Sequence, residues 1–167
     1  MGLADWNGLS RQQAIQEMLH CCGSRRWAEA MADRRPHGAI EDLLSTADSI
    51  WLGLQDEDWL EAFRCHPRIG ESKSAHASER ALNLSTQEQS EAQRASEDER
   101  LALAAGNLDY EGFYGFRFIV CASGRSASEI LANLRSRLNR ERRIELMEAA
   151  EQQRQITQLR IKRWLER

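Results

Sequence analysis

Only two prolines occur in 167 residues, Pro36 and Pro67, so almost the whole chain is free of the residue that most sharply breaks a helix. The apolar residues recur at helical spacing through most of it. Ser10-Arg-Gln-Gln13 has the form of a capping box opening a helix through about Cys22, with Ala14, Met18 and Cys21/Cys22 near one face. A second helix is expected from about Arg25 to Ala32, ending before Arg34-Arg35-Pro36. A third is expected from about Ala39 to Leu52, with Ile40, Leu43, Leu44, Ala47, Ile50 and Trp51 at core spacing. Asp56-Glu-Asp58 places negative charge where the N-terminus of a fourth helix favours it. That helix carries Trp59, Leu60 and Phe63 and must end near His66, because a residue before proline avoids helical backbone.

The second half of the chain is read in the same way. Residues 70–84 are polar and serine-rich, a long loop. Ser85-Thr-Gln-Glu88 is a second capping box, and the helix after it stays polar through Arg100 before Leu101, Leu103 and Leu108. Residues 113–121 are aromatic and β-branched, the one β-like stretch. With no second strand to pair with, this stretch reads as a buried extended segment rather than part of a sheet. Gly124-Arg-Ser126 leads into a third capping box, Ser126-x-x-Glu129, with Ile130, Leu131, Leu134 and Leu138 as the stripe of its helix. A last helix from about Arg140 to Trp164 turns Leu146, Ala149, Ala150, Ile156, Leu159 and Leu165 inward. The expected fold is therefore all-α: one domain over residues 1–167, a bundle of about seven helices with one buried extended segment. Buried irregular backbone must find partners for its N–H and C=O groups. A substrate rich in amides could supply some of them.

Composition narrows the function classes. A formal net charge of -3 gives no electrostatic reason to expect nucleic acid or an anionic membrane. No apolar run approaches the roughly 20 residues that span a bilayer. The N-terminus lacks the pattern of a secretory signal and the C-terminus that of a peroxisomal address, so a cytoplasmic location is expected. Cys21, Cys22, Cys65 and Cys121 form no C-x-x-C pair and read as reduced thiols. Neither Cys65-His66 nor His20-Cys21-Cys22 has the spacing of a zinc site, and no metal or organic cofactor motif is present.

The densest unusual stretch is Phe63-Arg-Cys-His-Pro-Arg-Ile-Gly-Glu71. A histidine at a helix end, fixed by the proline after it, can project from a rigid scaffold, and its ordinary pKa suits proton transfer near neutral pH. The plainer alternative is that His66 caps the helix C-terminus, where a cation is favourable. His20, His37 and His76 have no clustered partners and read as surface or packing residues.

Trp59-Leu-Glu-Ala-Phe63 followed by His66-Pro-Arg-Ile-Gly-Glu71 resembles the catalytic block of the OHCU (2-oxo-4-hydroxy-4-carboxy-5-ureidoimidazoline) decarboxylases. Ser85-Thr-Gln-Glu-Gln89, then Asn107, Tyr110, Phe113-x-x-Phe-x-Phe-Ile-Val-Cys-Ala122 and Gly124-Arg-Ser126, follow in the family's order. Leu134-x-x-Arg-Leu138, Glu145 and Ile156-x-x-Leu-Arg-Ile161 resemble its C-terminal helices, and Trp27 and Met31-Ala-Asp-Arg-Arg-Pro36 fit upstream.

The resemblance implies that His66 is the proton-transfer residue and that Pro67 holds its ring and touches substrate. It implies a second catalytic role for Glu88, which is also the N3 member of the Ser85 box, with Ser85, Thr86, Gln87 and Gln89 lining the site beside it. The backbone of Phe118, Ile119, Val120, Cys121 and Ala122 would bind ureido and ring amides, and Arg160 would bind carboxylate or carbonyl oxygens. The implied reaction is cofactor-free decarboxylation of OHCU to S-allantoin in urate catabolism, by a homodimer. The polar insert at 72–84 departs from the family's pattern and could alter the rim of the site. The turn Asn139-Arg-Glu-Arg142 departs from the Gly-Asn pair frequent in the family. A reading of a different class, a non-enzymatic helical interaction module, would draw on the polar helix near 90–100 and the charged C-terminal helix.

Overall fold

The structure, a computed structural model, describes residues 2–69 and 96–167. Among the described residues the fold is all-α, with eight helices and no strand. They are α1 (Leu3–Gly8), α2 (Arg11–Cys21), α3 (Arg25–Asp33), α4 (Ile40–Leu52), α5 (Asp56–Arg64), α6 (Glu97–Tyr114), α7 (Ala127–Arg137) and α8 (Arg142–Leu165). The chain divides into two compact units, Met1–Ala62 with Arg154–Arg167, and Phe63–Gln153.

The first unit is organised by tryptophans, each with a polar handle that must be satisfied when the ring is buried. Trp6 packs edge-on against Trp164 at 6.1 Å and donates its indole N–H to His37 Nδ1 at 3.2 Å. Trp27 donates to the Ala47 carbonyl, Trp59 to that of Trp51, and Trp164 to Glu17. Ser10 caps α2 in the expected box, its hydroxyl accepting from Gln13 N–H while Gln13 accepts from Ser10 N–H. Ser24 caps α3 at Trp27 N–H. α1 was not anticipated: one turn and a half is too short to show a period, and only Trp6 on it is buried. Arg35 closes its end, donating to the carbonyls of Trp6 and Leu9 while its guanidinium lies 5.1 Å above the Trp6 ring. His37 is a packing residue, as expected, and burial holds its imidazole below the usual histidine pKa.

Several residues expected inward are not. Ile40 is exposed and Leu44 half-buried on α4. Leu159 and Leu165 are half-buried on α8, where Thr157, Arg160, Ile161 and Trp164 take the buried positions. A long helix that buries polar residues gives no clean apolar period, which is why the stripe on α8 was misplaced.

The second unit packs α6 against α7. Gly106 allows the approach: a Cβ there would stand 2.9 Å from Leu134 Cδ2. α6 opens at Ser96, whose hydroxyl accepts from Glu99 N–H while the Glu99 carboxylate accepts from Ser96 N–H. The Ser85 box lies outside the described residues. Leu101 and Leu108 are exposed, and Leu103, Asn107, Tyr110 and Tyr114 are the buried face. Phe113 and Tyr114, expected in the extended segment, instead form the last turn of α6. Gly115 ends that helix at a left-handed φ of 77°, returning its N–H to Glu111. Irregular backbone then runs to Ser126, with Phe118 through Ala122 buried as expected.

α7 follows the Ser126 box, in which Ser126 and Glu129 exchange the expected hydrogen bonds. Leu138 stands half-buried just beyond α7, and the buried residue one step earlier is Arg137. In the turn that departs from the family's Gly-Asn pair, Asn139 adopts a φ of 63°. Asparagine is the non-glycine residue that best tolerates this conformation, so the turn needs no glycine.

Candidate active site

α5 ends at Arg64, and His66 follows on a turn closed by its own N–H to the Phe63 carbonyl at 3.1 Å. His66 is half-buried and Pro67 buried. Arg117, from the irregular segment after α6, donates one guanidinium nitrogen to the Arg64 carbonyl at 3.2 Å and also to the His66 carbonyl. Arg117 thus brings a cation to this helix end, beside Arg64 in its last turn. Arg68, next along, forms a two-point pair with Glu111 of α6, at 2.8 and 2.9 Å. Phe116 stacks at 5.8 Å on Phe63. The His66 turn is therefore tied on both flanks to α6 and to the segment that follows it.

Phe118 to Ala122 belong to the same unit and are supported from behind. Buried Arg137 donates to the Ile119 carbonyl at 2.8 Å and lies 4.7 Å over the Phe118 ring. Its charge is met by buried Glu145 at 2.5 Å, and Glu145 also accepts from Tyr110. Burial, then the Glu145 carboxylate, push the Tyr110 hydroxyl well above the usual tyrosine pKa, so it stays a donor. Gln152 accepts from Cys121 N–H at 2.9 Å, and the Ala122 carbonyl accepts from Arg125 N–H. The segment was expected to offer its backbone to a substrate. The carbonyls of Ile119 and Ala122 and the N–H of Cys121 are already engaged within the protein.

The remaining expected site residues fall elsewhere in the chain. Ser85, Thr86, Gln87, Glu88 and Gln89, with the 72–84 segment, lie outside the described residues. Arg160 belongs to the first unit, where it is buried rather than solvated among the basic residues near it. Its guanidinium donates to the Cys21 carbonyl at 3.4 Å. Burial pushes the neighbouring Cys22 thiol up to about 12, against the opposing pull of hydrogen bonds with Ser24 and Thr157 and the Arg160 charge. Arg117 and Glu111 were not singled out from the sequence. Their signal was an arginine breaking an aromatic run, and a helix-end carboxylate one turn before a glycine.

The sequence pattern of the OHCU decarboxylase family matches residues 7–162. The chain belongs to the OHCU decarboxylase family. It is 38% identical over 143 residues, 84% of its length, to the uric acid degradation bifunctional protein TTL of Arabidopsis thaliana, and spans 44% of that protein. It is 24% identical over 157 residues, 90% of its length, to the uric acid degradation bifunctional protein of Bacillus sp. (strain TB-90), of which it spans 30%. The chain thus spans less than half the length of these two relatives. A crystal structure of OHCU decarboxylase in the presence of (S)-allantoin superposes with a TM-score of 0.79 at 35% identity, over 90% of this chain and 98% of that one. An (S)-allantoin synthase crystal structure shares the fold, with a TM-score of 0.71 at 18% identity over 96% of this chain and 52% of that one.

Proposed function

We propose that this chain decarboxylates OHCU to S-allantoin in urate breakdown, with His66 as its catalytic residue. The observation that carries the reading is the family match across residues 7–162, with the His66-Pro67 pair inside it on a turn bound at both flanks. Similarity to an OHCU decarboxylase solved with (S)-allantoin over almost its whole length supports it.

The chemistry suits a site without a cofactor. The substrate carries a hydroxyl and a carboxylate on one ring carbon and a ureido group on the next. When the C–CO2 bond breaks, its electron pair enters the conjugated ring, which acts as the electron sink a cofactor supplies elsewhere. A proton must then reach one face of the ring. His66 polarises the hydroxyl or carboxylate and manages that proton, with Pro67 holding the imidazole in place. Glu88 is the second catalytic group. Ser85, Thr86, Gln87 and Gln89 bind a polar or anionic substrate group. Arg160 grips carboxylate or carbonyl oxygens through its planar fork, and the backbone of 118–122 reads the amides. The working form is a cytoplasmic homodimer.

The test is to add freshly made OHCU and follow its absorbance against the spontaneous decay. Acceleration that His66→Ala abolishes, with the helical circular dichroism unchanged, is the expected result. Equal activity in His66→Ala would leave His66 a packing residue.

A further inference from the structure

We propose that Arg117 is a positioning residue for His66. The proposal rests on the decarboxylase reading and names a residue that acts through His66 rather than on the substrate. The peptide between His66 and Pro67 is a tertiary amide with no N–H, so it can be held by hydrogen bonding only through the His66 carbonyl. Arg117 holds that carbonyl, and the same guanidinium nitrogen holds the Arg64 carbonyl at 3.2 Å. Two carbonyls two residues apart, drawn to one charged donor, define the pitch at which the chain leaves α5 and therefore the direction of the His66 Cα–Cβ bond. A charge-assisted hydrogen bond is about twice as strong as a neutral one.

Arg117 is itself anchored by its neighbours. Phe116 packs on Phe63 at 5.8 Å and on Tyr114 at 5.7 Å, with the Arg142 guanidinium 5.5 Å from its ring. On the other side, Phe118 packs on Tyr110 at 5.2 Å and under Arg137. The residue next to the substrate-reading backbone thus grips the backbone of the proton-transfer residue. A single short stretch, 116–122, sets both the seat of the substrate and the aim of His66.

Arg117→Met keeps most of the aliphatic stem and removes the donors, whereas Arg117→Lys keeps a cationic donor. Wild type, both Arg117 variants and His66→Ala are assayed with OHCU in parallel, with thermal midpoints recorded for each and the carbon-bound proton resonances of the His66 imidazole recorded for wild type and the Arg117 variants, His66→Ala serving to assign them. A misaimed catalytic group lowers kcat rather than substrate affinity, so Arg117→Met is expected to lose about tenfold or more in kcat with KM changed by less than about twofold. Its His66 resonances move, and Arg117→Lys recovers most of the loss. Wild-type kcat in Arg117→Met, or a loss that only tracks a lower folded fraction with His66 resonances unmoved, overturns the proposal. Were wild type itself to leave OHCU decay unchanged, the decarboxylase reading would fail. The His66 resonances would still decide whether Arg117 sets the imidazole.

Discussion

At the scale of single residues, buried charge is met by specific partners, and those partners define what can be tested. Glu145 sits fully buried between Arg137 and Tyr110. Removing it strands the Arg137 guanidinium without its counter-charge. Glu145→Ala should therefore lose about 3–5 kcal/mol of stability, read by urea denaturation. A loss below about 1 kcal/mol would show that Arg137 finds other compensation.

Buried Cys22 and Tyr110 make an alkaline prediction. Both groups lose their protons less readily in the fold than in the unfolded chain, Cys22 moving from the usual 9.0 up to about 12. The unfolded state gains by ionising first, so the stability they contribute is full below the unfolded values and drains away as pH rises from about 9 towards 12. The urea midpoint is expected to fall between pH 8 and pH 10.5, and less steeply in Cys22→Ala. A flat profile would contradict the burial of both groups. Glu88→Gln separates two roles at one position. Glutamine still serves a capping box, so a large rate loss with an unchanged melting temperature is expected, and an unchanged rate would leave Glu88 a cap.

At the scale of elements, local sequence rules carried far where they are strong and failed where packing overrides them. The Ser10 and Ser126 boxes, the acidic start of α5 and its end before Pro67 were legible, because caps and prolines act within a few residues. The Ser96 box was hidden inside a polar run that looked like the middle of a helix. Ser96→Ala is expected to cost about 1 kcal/mol, measured by thermal or urea denaturation. No loss would mean that α6 holds its first turn by other means. The extended segment was seen as buried, but its start was placed two residues early, since Phe113 and Tyr114 are equally at home in a strand. The polar buried face of α8 could not be read from periodicity. Arg160, Gln152 and Glu145 are buried because of their partners, and partners distant in sequence leave no local trace.

At the scale of the whole chain, family membership and the all-α fold were legible because the blocks run in order from near one end to the other. Matching over residues 7–162 left no large region outside the family. What sequence alone could not supply is how His66 is held. Arg117 and the Arg68–Glu111 pair are tertiary contacts spanning 51 and 43 residues. They replace a lone histidine at a helix end with one whose peptide carbonyl is held from a distant segment.

The most direct measurement of the central claim is the handedness of the product. Freshly prepared OHCU, treated with the wild-type chain and with His66→Ala, is followed by circular dichroism. The account predicts a rapid rise of the S-allantoin signal with wild type and only the slow, weak signal of spontaneous decay with His66→Ala. Identical traces for the two proteins, or for wild type and buffer, would contradict it.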